Sequence, residues 1–137
     1  MKILFLDVDG VLNTTKSTTF LSLSKPKLRL LEKIVKETGC YIVLSSTWRK
    51  DNEAYMKLVR TLLYRNIIIH DITPTLWKDR GYEIEAWLND NPHVEKYAIL
   101  DDDSDMLDTQ LRHFFQTDPE YGLTDTIAYR VIYHLNN

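Results

Sequence analysis

The sequence predicts an α/β fold, a parallel sheet of about five strands with helices on both faces. Three observations predict it. Short apolar runs alternate with stretches of helical periodicity along all 137 residues. The runs are apolar throughout instead of alternating with polar residues, as in a sheet buried on both sides. Three of them, Ile3–Leu6, Tyr41–Leu44 and Tyr97–Leu100, end directly in Asp7, Ser45 and Asp101. Ligands of open parallel sheets bind beyond the carboxyl ends of the strands, so these three residues mark the expected functional edge.

Each element follows from local signals. Ile3 to Leu6 is the first buried strand, and it leads into Asp7-Val8-Asp9-Gly10. Residues i and i+2 share a face, so Asp7 and Asp9 can lie together while Val8 points to the core. Val11 to Leu23 has little periodicity and reads as an irregular flap over the site, with room for a short hairpin. Ser24 then offers an N-cap, Pro26 suits the first turn, and Leu28, Leu31 and Val35 repeat at helical spacing. Gly39 is the expected stop. After the second strand, Tyr41 to Leu44, Asp51 caps a helix with Tyr55, Leu58, Val59 and Leu62 on one face. Ile67 to Ile69 reads as the third strand. Arg80 and Gly81 open a helix with Ile84, Trp87 and Leu88 inward, ending before Pro92. Tyr97 to Leu100 is the fourth strand, about Arg112 to Gln116 a weaker fifth. Thr124 caps a last helix that buries Ile127, Val131, Ile132 and Leu135.

Composition bounds the reading. The length suits one domain, residues 1–137, with a core that needs no staples. A net charge of −3 gives no global attraction to nucleic acid or anionic membrane, so a polyanionic substrate needs a local basic patch or a metal. The single cysteine, Cys40, excludes an internal disulfide and fits a reducing compartment. No apolar run approaches the ~20 residues that span a bilayer, and Asp7 cuts the opening apolar stretch too short for a signal peptide. The expectation is a soluble, cytoplasmic protein. Neither a Gly-x-x-x-x-Gly-Lys loop nor a Gly-x-Gly-x-x-Gly fingerprint occurs, so no dinucleotide cofactor is expected. His70, His93, His113 and His134 lack metal-ligand spacing and read as structural or surface residues.

Taken singly, the polar motifs have ordinary readings. Asp-x-Asp-Gly can be a turn, Ser45-Ser46-Thr47 a helix cap, Asp101 to Asp105 a solvated acidic loop, and Arg80 a surface cation. Their joint placement after successive strands is harder to explain that way. In this order they resemble the haloacid dehalogenase-like (HAD) superfamily, specifically its small phosphatases. Phe5-Leu6-Asp7-Val8-Asp9-Gly10-Val11 matches the first motif and Ile42-Val43-Leu44-Ser45 the second. Arg80 looks like the third, where lysine is commoner, and Ile99-Leu100-Asp101-Asp102 matches the fourth. The finer pattern of Asp-Gly-Val-Leu-Asn, Ser-Ser-Thr-Trp-Arg, Arg-Gly-x-Glu-Ile and Leu-Asp-Asp-Asp is similar to HAD domains of RNA-repair polynucleotide kinase-phosphatases.

That resemblance implies a three-layer, Rossmann-like sheet and, with no large insertion between motifs, no large cap. It implies a Mg²⁺-dependent phosphomonoesterase, with a nucleic-acid end or nucleotide as substrate. Asp7 would be the nucleophile, Asp9 the proton shuttle, and Ser45 and Arg80 the groups that steady the phosphoryl charge. Gly10, Ser46, Trp48 and Arg49 would contact substrate. Asp7, Asp9, Asp101 and Asp102, with the Val8 carbonyl, would supply the metal shell, the share of each late acid being open. Two carboxylates ~4 Å apart repel by roughly 4 kcal/mol at an effective dielectric near 20, so several in one pocket call for a cation or a retained proton. Trp48 and Arg49 either reach the substrate or, alternatively, fill core space and pair with an acid. Lys25, Lys27 and Arg29 read as a solvated helix face. Two other classes compete, a phospho-accepting signalling module and a catalytically silent scaffold.

Overall fold

The computed structural model describes residues 1–17 and 19–137; Thr18, within the expected flap, lies outside the described residues. The sheet consists of β1 (Lys2–Leu6), β2 (Tyr41–Leu44), β3 (Ile69–Ile72), β4 (Lys96–Asp101) and β5 (Phe114–Gln116). All neighbours are parallel and the order is β3-β2-β1-β4-β5. Four helices connect and cover them: α1 (Lys25–Thr38), α2 (Asn52–Tyr64), α3 (Arg80–Asp90) and α4 (Asp125–Asn136). The predicted α/β class and parallel sheet therefore stand.

The two faces are unequally covered. Leu4, Leu6, Ile42, Leu44, Ala98 and Leu100 pack with residues of α1, α2 and α4 in the larger core. Ile3, Phe5, Val43 and Ile99 meet Ile84 and Trp87 of α3 in a smaller one. The Phe5 and Trp87 rings sit edge to face, 5.5 Å apart. Strand alternation explains the split, since successive residues from Ile3 to Leu6 serve opposite layers and all four are apolar.

Caps fall largely where expected. Asp51 accepts from the Ala54 N–H and Thr124 from the Ile127 N–H, while Gly39 closes α1 in the left-handed region. Ser24 begins α1 without a side-chain cap. β1 and β4 extend the expected strands only by the flanking Lys2, Lys96 and Asp101, whereas the third and fifth strands differ more. The third strand is Ile69–Ile72, not Ile67–Ile69; Ile67 is buried just before it, and Ile68 is 72% exposed. An edge strand has one neighbour, so it tolerates exposed His70 and Asp71 that periodicity reads as loop. The fifth strand begins at Phe114 because Asp108–His113 forms a 3-10 helix. Turns and bends make up the flap, with no strand among its described residues, and buried Val11 and Leu12 root it.

Candidate active site

Parallel register assembles the site. Leu6 pairs with Leu44 on one side and Leu100 on the other, so Asp7, Ser45 and Asp101 follow at one level on three adjacent strands. The ladder continues one step beyond the strands: Asp7 N–H donates to the Leu100 carbonyl at 3.0 Å, and Ser45 N–H to the Leu6 carbonyl at 3.1 Å. Asp7, Ser45 and Asp101 are all buried.

Arg80, the first residue of α3, bridges two of the acids. Its Nη1 lies 3.2 Å from Asp7 Oδ1 and 2.5 Å from Asp101 Oδ2. The Arg80 N–H donates to Asp105 at 3.1 Å, which fixes the helix start beside the strands. One cation between these carboxylates is not enough to keep Asp7 ionised at neutral pH. Burial, then the neighbouring Asp101 charge, raises its carboxyl to about 8, against the pull of Arg80. Burial also raises Asp101, with Arg80 opposing.

The acid cluster has the chemistry of a divalent-cation site. An oxygen from each of Asp7, Asp101 and Asp102 lies within 4.8 Å of the others. These are hard donors of the kind Mg²⁺ takes, and a cation would relieve the charge that keeps Asp7 protonated, so the set fits the expected metal. Within it the two late acids are not equivalent. Asp101 is fully buried and its oxygens are engaged, one with Arg80 and one by the Asp103 N–H at 3.0 Å. Asp102 is half-buried and enters no ion pair among the described residues. Its carboxylate lies over Gly10. A Cβ there would collide with it, and Gly10 has φ +78°, so position 10 needs glycine on both counts.

The Asp9 carboxylate stands outside this cluster. The side chain is exposed to the pocket, and both oxygens are held: Asn13 Nδ2 donates to one at 2.9 Å and Trp48 Nε1 to the other at 3.0 Å. Trp48 is itself 4% exposed, so it anchors Asp9 from the core. The Val8 carbonyl, expected to face a metal, instead accepts the Val11 and Leu12 N–H groups at 3.0 and 2.8 Å. Those bonds turn the chain back into the flap. Asn13, not singled out as a site residue, also accepts the Gly10 N–H at 2.9 Å. Its only sequence signal was its place in Asp-Gly-Val-Leu-Asn.

Ser45 and Ser46 part ways. The Ser45 hydroxyl is buried with no hydrogen-bond partner among the described residues. Ser46 accepts the Trp48 N–H at 3.1 Å and caps the 3-10 helix Thr47–Lys50. Arg49 takes the second of its two expected readings. Its guanidinium donates to the carbonyls of Thr73, Ser45, Ser46 and Pro74, and pairs with buried Glu83 at 2.9 Å. Every nitrogen is committed and its side chain is 2% exposed, so it clamps the β2 turn to α3 instead of reaching for a phosphate. Glu83 was missed because it lies 34 residues away in sequence, on the turn after Arg80.

Beside Asp9, Asn13 and Asp102 opens a cavity of about 380 Å³, roofed by flap residues including Thr14, Ser17, Phe20 and Ser22. A buried carboxylate at a strand end, an arginine across from it, and an acid cluster beside a cavity are arranged as in a HAD-type domain. Residues 3–128 match the family described as the HAD domain in Swiss Army Knife RNA repair proteins, and the chain belongs to that family. A search of the curated proteins gave no match. Membership places the chain among HAD-type phosphohydrolases in general. No helix among the described residues is long and apolar enough to cross a membrane.

Proposed function

We propose that the chain is a Mg²⁺-dependent phosphomonoesterase that works through an aspartyl-phosphate and acts on nucleic-acid ends or nucleotides. The observation that carries this reading is Asp7 itself, buried at a strand end between Arg80 at 3.2 Å and the Asp101–Asp102 pair, with the unpartnered Ser45 hydroxyl on the adjacent strand.

Ionised Asp7 attacks phosphorus in line, and the bond to the leaving oxygen breaks. Asp9, held by Asn13 and Trp48, gives that oxygen a proton. Water then attacks the phosphoryl group, Asp9 takes its proton back, and the bond to Asp7 breaks. Arg80 steadies charge on the phosphoryl oxygens while Asp101 holds its guanidinium in place. The Ser45 hydroxyl donates to one of those oxygens. Asp7 and Asp102 would hold Mg²⁺, with a further oxygen from the Asp9 main-chain carbonyl, which no backbone N–H engages among the described residues. When bound, Mg²⁺ supplies positive charge that favours ionised Asp7 and offsets the phosphoryl charge. Members of this family sit in RNA-repair proteins, and the open cavity beside Asp9 suits a leaving group that continues into a chain.

The test is phosphate release from p-nitrophenyl phosphate, mononucleotides, and oligonucleotides phosphorylated at the 3′ or 5′ end, with Mg²⁺ or EDTA. Release that requires both Mg²⁺ and Asp7 supports the reading. A stable acyl-phosphate without turnover would indicate a signalling module, and inactivity on every substrate a silent scaffold.

A further inference from the structure

A cavity of about 580 Å³ lies away from the acid cluster. It lies on the β5 edge, between α4 and the start of β4. Lys96 opens that strand, Asp101 closes it, and five steps of about 3.3 Å each separate these two ends of the six-residue strand.

The charged side chains of its lining are all basic. Lys96, Arg112 and Arg130 converge on it, and no carboxylate side chain lines it. None of the three enters an ion pair among the described residues, although the chain carries more acids than bases. Arg130 instead lies over the Phe115 ring, 5.7 Å from its centre. Two tyrosines complete the groove. Tyr129 and Tyr133 stand one helical turn apart on α4 and are 68% and 61% exposed. His134 lines the floor, and its Nε2 lies 3.1 Å from both His113 Nδ1 and the Tyr97 carbonyl. Burial, with Lys96 nearby, holds His134 below its ordinary value, so the floor is neutral at neutral pH and the positive charge sits at the rim.

Unpaired cations around exposed flat rings match a ligand with regularly spaced anionic groups and π-faces. We propose that this groove binds single-stranded nucleic acid, with Lys96, Arg112 and Arg130 on phosphates and Tyr129 and Tyr133 stacked on bases. The surface is separate from the acid cluster, and the binding does not depend on phosphatase activity.

Fluorescence anisotropy of a labelled 20-nucleotide RNA without terminal phosphates, titrated in EDTA with the full chain, tests it. Arg112→Glu with Arg130→Glu should weaken binding at least tenfold. The slope of log K against log salt should flatten by about 1.4, about 0.7 per lost phosphate contact on a single strand. Tyr129→Ala with Tyr133→Ala should weaken the single strand at least fivefold and leave a duplex unaffected. Asp7→Asn should bind as the wild type does. If the glutamate pair fails to fold by circular dichroism, Arg112→Gln with Arg130→Gln takes its place, with a threefold or greater loss expected. Unchanged affinity in the arginine variants overturns the proposal. So does equal affinity for duplex, or binding to phosphatidylserine vesicles or an acidic peptide with none to the oligonucleotide.

Discussion

Replacing Asp7 with asparagine separates the electrostatics of the acid site from its chemistry. Without a cation, burial and Asp101 raise the Asp7 carboxyl from 3.8 to about 8. In the unfolded chain the same group ionises near its ordinary value. Between these values the folded protein keeps a proton that the unfolded chain has released, so stability falls as pH rises. Asp7's contribution is complete below 3.8 and is lost by the time pH passes about 8. The slope is about 1.4 kcal/mol per pH unit, which over four units sets a ceiling of ~6 kcal/mol. Because Asp101 and Arg80 share the titration, roughly 2–4 kcal/mol is the expected loss. Asparagine keeps the shape and does not titrate. Urea unfolding in EDTA at pH 5, 7 and 9 should therefore show the wild type falling away from Asp7→Asn as pH rises. Saturating Mg²⁺ should reverse the order, since it restores the wild type and has little to neutralise in the variant. Parallel stability curves in EDTA would refute this account of the site.

Further outcomes follow from the geometry at the acids, the Arg49 clamp and Trp48. Mg²⁺ at a hundred times its Kd should stabilise the wild type by about 2.7 kcal/mol, read as a rise in Tm, and Asp102→Asn should lower the Mg²⁺ affinity more than tenfold. Arg49→Ala strands buried Glu83 and should cost about 3–5 kcal/mol in denaturant unfolding, whereas Arg49→Met with Glu83→Leu should recover most of it. Trp48→Phe removes the indole donor to Asp9; kcat should fall about tenfold or more while stability changes by only about 1 kcal/mol.

Much of the site was legible because parallel strands fix position by register alone. Once three apolar runs are read as neighbours, Asp7, Ser45 and Asp101 fall in one row with no knowledge of side-chain packing. The partners of those residues were not legible. Trp48 holds Asp9 across 39 residues and Glu83 holds Arg49 across 34, and neither pairing leaves a local pattern. The Val8 carbonyl was misjudged because strand alternation predicts where a side chain points, not which N–H groups a following turn brings back. At β3 the apolar run Ile67 to Ile69 outweighed His70 and Asp71, although an edge strand does not need to be apolar on both sides.

The uneven layering has a consequence for how the site comes apart. On one face of the sheet α3 is the main cover, and the same helix carries Arg80 to the acids and Glu83 to the Arg49 clamp. A sub-global opening that lifts α3 would expose Phe5 and Val43 and at the same moment strip the acids of their cation and free the turn after β2. Amide exchange in α3 is then a direct gauge of site integrity, and whatever binds between Asp7 and Arg80 also fastens one layer of the fold to the sheet.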